Sequence, residues 1–232
     1  SFSDTAAVLS EEVNINDAVE LSKGSDEIEK IIKADADVYM TNLDVLNDKM
    51  LVEGICKVGF LFTENNDLHT VGYVSEEFPF THYLEFEDLN ENMLKDISIE
   101  VKDMTYSTGD NFDDEKKLIE FALPFTVSAT FYSNIKKNII TDCYSTDYEL
   151  DLLSEKINLS SIKKITDELV PYENSFEVPA GSIRDVYSAD VSPKVSEKRI
   201  AGNKYIIDGF LDVNVLYLNG DMNKMDKAFA SL

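Results

Sequence analysis

Among the side chains that could do chemistry, the first candidate is a histidine close to two glutamates. His82 has Glu85 and Glu87 close by in sequence, and an imidazole with carboxylates is a donor set for a metal ion or for proton transfer. Such a histidine also needs a second ligand and a partner that orients it. On a strand, the neighbours of His82 on its own face are Phe80 and Leu84, which supply neither. We therefore expect no metal site and no catalytic residue here.

The other polar candidates lead to the same expectation. The loop from Asp110 to Glu115 has the carboxylates that calcium prefers, but it lacks the glycine and the spaced acids of an EF-hand loop. His69 lies in a predicted hairpin. No serine lies in a Gly-x-Ser-x-Gly elbow, and the nine glycines form no phosphate-binding loop. We predict no cofactor, no metal and no enzymatic activity.

The two cysteines give no sign of a disulfide framework. Cys56 lies on an apolar strand face, so we expect it to act as a small hydrophobic residue. Cys143 has no such setting. A disulfide between them is possible, but nothing in the pattern supports one.

The charge of the chain narrows the choice of partners. The 232 residues contain 21 basic and 45 acidic side chains, a net charge of −24. Such an excess repels phosphate backbones and anionic lipid, so we expect neither nucleic acid nor direct membrane insertion. Basic proteins, peptides and divalent cations fit better, and a solubilising surface explains the acidity equally well.

The elements that position these residues are organised around two similar strands. Met50–Phe62 and Tyr205–Tyr217 align without a gap, and each has an acid followed by a glycine at the same place. Each also has one apolar face of period two, as a half-buried strand requires. The two faces are Met50, Val52, Cys56, Val58, Phe60 and Phe62 in the first strand and Tyr205, Ile207, Leu211, Val213, Val215 and Tyr217 in the second. We interpret Gly54 and Gly209 as sites of a bulge, a bend or close packing.

The similarity extends upstream and predicts a duplicated module. Asp37–Tyr39 leads into the first glycine strand as Ile183–Tyr187 leads into the second, with several extra residues in the second connector. We predict a first module over residues 1–170 and the start of a second over residues 171–232.

The remaining pattern predicts a mainly β fold of antiparallel β-sandwich or partly open barrel modules with one or two short helices. We predict that residues 1–20, which are acidic, are irregular. Ser25 with Ile28, Ile31 and Ile32 predicts a helix over 21–36, and a second helical stripe covers 158–169. Further strands are predicted as follows: 68–74 in a hairpin, 78–86 with Pro79 at a strand start or edge, 95–106, 121–132, 139–142 and 148–153.

The second module stops early in this sequence, which leaves its sheet to be completed. Three outcomes are open: the natural protein continues past Leu232, the strands join the first module's sheet, or another chain completes them. We expect the first. The candidate structural or interaction residues are Gly54, Gly209, Val213, Val215, Tyr217, Phe78 and Phe80.

Three motifs in this order resemble the SPOCS (spore coat and sporulation) domain of endospore-forming bacteria. They are a Lys before an apolar-acid-Gly strand (Lys49–Phe62 and Lys204–Tyr217), the segment Glu76–Phe80, and the Thr-Asp-x-Tyr-Ser element Thr141–Ser145. The resemblance covers roughly residues 12–160 and the opening half of a second copy. Within the family, the chain is most similar to the clostridial SipL and SpoVID type of coat morphogenetic protein.

The resemblance implies a non-enzymatic scaffold or adaptor of the spore coat. It implies a location in the mother-cell cytoplasm and then in the coat or outer spore surface, with other coat proteins as partners. In that group a LysM module contacts the ATPase of the coat's basement layer. Because no LysM-like segment occurs in these 232 residues, that contact is assigned to no residue here. The alternatives are a self-assembling exosporium or appendage protein that exchanges strands, and a β domain that binds a metal or small ligand.

Overall fold

The chain forms two compact units, Ser1–Asp167 and Glu168–Leu232. The structure, a computed structural model, describes residues 2–46, 49–86, 93–140, 142–144, 146–149, 151, 153, 155–166, 170–178, 182–202, 204–220 and 224–232. Every regular element within those ranges is a β-strand, and the predicted mainly β fold is confirmed.

The first unit is a sandwich of two antiparallel sheets. Sheet A has the order β1-β7-β5, and β6 pairs with another part of β7; sheet B has the order β2-β3-β4. The strands are β1 (Phe2–Glu20), β2 (Ile28–Leu46), β3 (Lys49–Glu64), β4 (Val71–Glu85), β5 (Leu94–Val101), β6 (Thr105–Gly109) and β7 (Leu118–Ile135). At the borders of the sandwich β1 lies near β4 and β5 lies near β2.

The core lies between the central strands β3 and β7. The apolar period-two face of β3 is fully buried, as the alternation predicts. It meets the matching face of β7, which carries Ile119, Phe121, Leu123, Phe125, Val127, Ala129 and Phe131. Aromatic rings of β4 close the border: the centroids of Phe80 and Phe125 are 4.9 Å apart, and those of Phe78 and Phe121 are 5.1 Å apart, both edge to face.

The second unit is a three-stranded antiparallel sheet, sheet C, with the order β10-β9-β8. Its strands are β8 (Ile183–Ala201), β9 (Lys204–Asn219) and β10 (Lys224–Ser231). Val213 and Val215 pair with β8 on one side and β10 on the other, so strands of the same chain flank them. These strands form a sheet of their own and do not join a sheet of the first unit.

The helix predicted over 21–36 is wrong, because residues 28–46 form β2. Two β-bulges explain the error. The register of β2 shifts between Ile28 and Lys30 and again between Ile31 and Lys33. Each bulge adds one residue, so the inward positions become three apart and imitate helical spacing. Burial of Ile28 between the sheets then favours the strand over the helical cap at Ser25.

Four other local predictions are also wrong. Residues 2–20 are not irregular, since they form β1 along the whole length of β7. Described residues of the expected strands 139–142 and 148–153 are outside regular structure, and so is the helical stripe as far as residue 166. Residues 141, 150, 152 and 167–169 lie outside the described residues, and so do Thr141 and Ser145 of the Thr-Asp-x-Tyr-Ser element.

The hairpin after the first glycine strand is confirmed, with one difference. The predicted strands 68–74 and 78–86 are a single strand, β4, which covers residues 71–85 and pairs with β3 over residues 49–63. Pro79 lies on β4, which is at the border of sheet B, where a residue without an N–H is tolerated.

Candidate interaction surface

The hairpins β2-β3 and β8-β9 are the same structure, displaced by 155 positions. Ile28–Leu46 corresponds to Ile183–Ala201, and Lys49–Glu64 corresponds to Lys204–Asn219. The register agrees throughout, with Gly54 opposite Met40 and Gly209 opposite Val195. All three bulges recur at the displaced positions: Ile28/Lys30, Ile31/Lys33 and Met40/Asn42 in β2, and Ile183/Asp185, Val186/Ser188 and Val195/Glu197 in β8. The expectation of extra residues in the second connector is therefore wrong.

The glycines occupy this position because a neighbouring carbonyl leaves no room for a side chain. A Cβ atom on Gly54 would lie 2.4 Å from the carbonyl oxygen of Tyr39, and one on Gly209 would lie 2.3 Å from that of Lys194. Tyr39 and Lys194 are equivalent residues beside the third bulge. The environments differ on one side only: the ring of Phe80 also covers Gly54, at 2.4 Å from the same Cβ position.

The equivalent apolar faces differ greatly in burial. Met50 and Val52 are fully buried, whereas the equivalent Tyr205 and Ile207 are 61% and 56% exposed. Farther along β9, Val213 and Val215 are half-buried and Tyr217 is buried. In the first unit sheet A covers the face, and within the second unit the described residues contain only one sheet. We call the exposed apolar residues on the equivalent face of sheet C the open face: Ile183, Val186, Val191, Val195, Ile200, Tyr205 and Ile207.

On the side of β9 that faces β10, nearly half of the strand has no partner strand among the described residues. β10 pairs with Asp212–Asn219, and Leu211 and Leu232 exchange backbone hydrogen bonds at 2.9 Å. The segment Lys204–Phe210, the free edge, has no strand on that side within the described part of the second unit. In the first unit β4 pairs with the whole equivalent segment.

The two parts of the sequence also differ in charge. From residue 182 onward there are seven basic and seven acidic residues (Arg184, Lys194, Lys198, Arg199, Lys204, Lys224, Lys227; Asp185, Asp190, Glu197, Asp208, Asp212, Asp221, Asp226). The net charge of −24 therefore belongs entirely to residues 1–181. The open face and the free edge lie in a neutral segment, where apolar contact meets little electrostatic repulsion.

Comparison with known protein families gives one match. The SipL SPOCS domain matches residues 27–108 and 182–230, more than half of the chain. The chain belongs to the SipL SPOCS domain family. Both matched stretches begin one residue before the repeated hairpin, ahead of Ile28 and Ile183. No curated protein and no solved structure gave a match.

Membership makes this a protein related to sporulation and the spore coat, with a domain of structural type that is not a known enzyme family. Of the motifs that carried the resemblance, Lys49–Phe62 and Glu76–Phe80 lie on β3 and β4 within the matched stretch 27–108, whereas Thr141–Ser145 lies outside both matched stretches. Among the described residues, no helix has the length and hydrophobicity needed to cross a membrane.

Each histidine of the SPOCS chain shares a hydrogen bond with a glutamate carboxylate. His82 Nε2 lies 3.0 Å from a carboxylate oxygen of Glu11 on β1, which joins the borders of the two sheets. The expected neighbour Glu85 makes no such pair, and Glu87 lies outside the described residues. His69 Nδ1 lies 2.8 Å from Glu29, and this hydrogen bond lowers the pKa of the Glu29 carboxyl. No group of three or more metal-ligating side chains occurs in the part of the chain that the structure describes.

Hydrogen bonds among its own residues hold the acidic loop from Asp110 to Glu115. The side-chain oxygen of Asn111 accepts hydrogen bonds from the N–H groups of Asp113 and Glu115, each at 3.0 Å. The Glu115 carboxylate lies 2.8 Å from the ammonium of Lys117 and raises its pKa. Lys117 is almost buried, so its pairing with Glu115 anchors the end of the loop.

The cysteines are both free, and their environments differ. Cys56 is fully buried, as its position on the apolar face predicts, and burial raises the pKa of its thiol to about 11. Cys143 is exposed.

Of the seven candidate interaction residues, three belong to the interior of the first unit. Gly54 and Phe80 are buried there, and Phe78 is half-buried against Phe121. Gly209 is exposed on β9. The sequence analysis did not single out Tyr205, Ile207 or the exposed apolar residues of β8. The constant displacement of 155 was a usable signal, because it relates each position of β9 to one of β3, so that Tyr205 and Ile207 correspond to Met50 and Val52.

Proposed function

We propose that this SPOCS chain is a non-enzymatic scaffold or adaptor of the bacterial spore coat. In this proposal residues 1–170 and 171–232 are two SPOCS modules: the first is a self-contained sandwich, and the second presents the contact surface. The partners are other coat proteins; a contact with the ATPase of the basement layer would use a region absent from these 232 residues. The place of action is the mother-cell side of the forespore and later the coat.

The observation that carries the proposal is the contrast between two equal hairpins. Sheet B buries its apolar face under sheet A, whereas the equivalent positions of sheet C are exposed in the same chain. Contiguous exposed apolar surface in a neutral segment is typical of a surface that binds protein. Binding through such a surface needs no catalytic group.

A fusion of the whole chain to a fluorescent protein tests this role in sporulating cells that lack their own copy. We expect a ring of fluorescence around the forespore. Lysines at Val191 and Ile200 put two charges on the open face without touching the free edge, so we expect this double variant to lose the ring. A lysine at Phe229, which is exposed on the other face of sheet C, is the matched control and should keep it.

Two results would contradict the proposal. One is a wild-type fusion that spreads evenly through the mother cell. The other is a ring that survives the double variant at full intensity while both variants are folded by circular dichroism.

A further inference from the structure

We propose that the outer edge of β2 in the first unit binds an extended basic segment of another protein, which adds as a strand beside Lys33–Met40. The outer edge is the side of β2 that faces away from β3. The first unit contains both sheets of its sandwich, so this edge is a border of the finished sandwich. The site belongs to a different unit from the open face, and it adds to the proposed function without depending on it.

The outer edge offers an unbroken stretch of backbone. Lys33–Met40 lies between the second and third bulges of β2 and keeps one register with β3. At the end of β3, Glu64 donates its N–H toward the β4 side, to the carbonyl of Thr70 at 2.8 Å. Every second residue of β3 shares this direction. The β2 residues opposite them therefore turn their N–H and C=O groups to the outer edge: Ala34, Ala36 and Val38.

A strand added at this edge would be hydrogen-bonded along its length. Among the described residues, β3 is the only strand that pairs with β2. Three residues of an added strand, opposite Ala34, Ala36 and Val38, would make about six backbone hydrogen bonds. Their side chains would point to the inner side of the sandwich, because residues directly opposite each other in a sheet share a face.

A cavity lies on that inner side, between the borders of the two sheets. Its volume is about 440 Å³, within the roughly 300–1,000 Å³ of ligand-binding sites. The inward residues of β2 are alanines here, and the border of sheet A is interrupted between β5 and β6, so little side-chain volume fills the space. Apolar side chains line it from both sheets: Ile32, Ala34 and Ala36 from β2, and Val101, Met104 and Tyr106 from the border of sheet A. Ile32, Val101 and Tyr106 are exposed, and apolar side chains of an added strand would cover them.

The charges around the cavity favour a basic partner. Each lysine of the lining already has a carboxylate: Lys33 lies 2.7 Å from Asp35, and Lys102 pairs with Glu12. Asp103, also in the lining, adds a negative charge. The whole net charge of −24 belongs to residues 1–181, so a cationic segment is attracted to this part of the chain.

The edge also predicts the sequence pattern of the segment. A residue opposite Asp37 lies on the outer face of sheet B, where a lysine or arginine would form a cross-strand ion pair. The residues on either side of it, opposite Ala36 and Val38, point toward the cavity and should be apolar. We therefore expect alternating apolar and basic residues. A second copy fits less well, because pairing Ala36 with its own counterpart would place Asp35 opposite Asp37.

The equivalent edge in the second unit is blocked by a proline. Pro193 of β8 is the counterpart of Val38. Opposite it, Leu211 exchanges both backbone hydrogen bonds with Leu232 on the β10 side. Pro193 therefore presents its nitrogen to the outer edge, and a proline nitrogen has no hydrogen to donate. The hairpin accepts proline at this position, whereas the β2 edge has valine there and keeps the donor.

Titration of the purified full chain with labelled peptides tests the strand addition. The probe is a capped peptide, Gly-Val-Lys-Val-Lys-Val-Lys-Val-Gly, and fluorescence anisotropy measures its binding. We expect saturable one-to-one binding that becomes at least about tenfold weaker when glutamates replace the lysines. N-methyl groups on the valines block the hydrogen bonds toward β2, whereas N-methyl groups on the lysines point away from it. We expect the first methylated peptide to bind at least about tenfold more weakly than the second.

Two variants of the chain locate the site. Val38→Pro copies Pro193, so the hairpin should stay folded by circular dichroism while peptide affinity falls at least about tenfold. Asp37→Lys should cause a similar loss by reversing the charge at the edge. Glu77→Lys is its matched control, because Asp37 and Glu77 flank Lys57 on opposite sides in register. This control makes the same charge change on β4 and should keep the affinity within about twofold.

Several results would overturn the proposal. They are the absence of saturable binding, equal affinity of the two methylated peptides, and equal loss with Asp37→Lys and Glu77→Lys, which would mean general attraction to an acidic chain. A folded Val38→Pro variant that binds like the wild type would place the binding elsewhere. A dimer of the chain that Val38→Pro abolishes in light scattering would assign the edge to a second copy. None of these results bears on the forespore ring, whose variants lie on sheet C.

Discussion

Sheets B and C show one hairpin in two environments. The hairpin has the same strand lengths, bulges and glycine in both, so the local sequence specifies its backbone twice. Its surroundings differ: sheet A covers the first, and half of the central strand's border is free in the second. The comparison teaches that hairpin geometry and hairpin burial are separate properties in this fold.

The largest effect that would sharpen this comparison concerns thiol reactivity at equivalent positions. Cys56 is buried with a raised pKa, and its equivalent Leu211 is half-buried. In a Cys143→Ser background we expect Leu211→Cys to react with a thiol reagent roughly a thousandfold faster than Cys56, the factor that about 4 kcal/mol of opening free energy gives. Absorbance during reaction with a disulfide reagent measures both rates. Similar rates would mean that both faces are equally covered.

Truncation of equivalent side chains should give the next largest difference. Met50→Ala removes a fully buried side chain, so we expect it to lower the free energy of unfolding by about 2–5 kcal/mol. Tyr205→Ala, at the equivalent exposed position, should change it by less than about 0.5 kcal/mol in the monomer. Urea unfolding at low protein concentration measures both, and hydrogen exchange assigns the loss to one unit. A large cost at Tyr205 would contradict the open face.

The glycines test the part of the hairpin that the two copies share. Gly54→Ala meets both the Tyr39 carbonyl and the Phe80 ring, and we expect a cost of about 1–3 kcal/mol from overpacking. Gly209→Ala meets the backbone of Lys194 and Val195 and no aromatic ring among its nearest atoms, so its cost should be smaller but in the same direction. Thermal unfolding of the two variants measures the order. A neutral Gly209→Ala would show that the bulge does not require glycine in the second unit.

The smallest expected effect is the loss of the acid sensitivity that one carboxylate, Asp212, gives the second unit. The ammonium of Lys194 lies 2.6 Å from Asp212 and, with a hydrogen bond from Ser231, lowers the pKa of that carboxyl below its ordinary 3.8. A lowered folded pKa adds stability that is complete above the unfolded value and is lost as the pH falls through the folded value. We therefore expect Asp212→Asn to reduce stability slightly above pH 3.8 and to flatten its decline below. The equivalent residues in sheet B are Tyr39 and Lys57, and neither is a carboxylate. Lys57→Asn, at the position equivalent to Asp212, is therefore the control.

Some of the fold followed directly from the residues. The faces of β3 and β7 alternate strictly, and the hairpin of β3 and β4 has a polar turn between apolar runs. β2 did not follow, because its bulges alter the inward spacing from two to three and imitate a helix. β1 did not follow either, since many of its residues are polar or small and its strand character depends on pairing with β7, more than a hundred residues away.

The candidate surface, like the fold, was predicted from the sequence in part only. By itself, the sequence determined that a glycine strand occurs twice, because alternation and the acid-glycine pair are local and survive without any partner. Only the tertiary structure decided which copy is covered, because cover depends on sheet A, which is assembled from strands distant in sequence. Burial under that sheet makes Gly54 and Phe80 parts of a core. Within the described part of the second unit no such sheet covers β9, so Tyr205 and Ile207 are exposed.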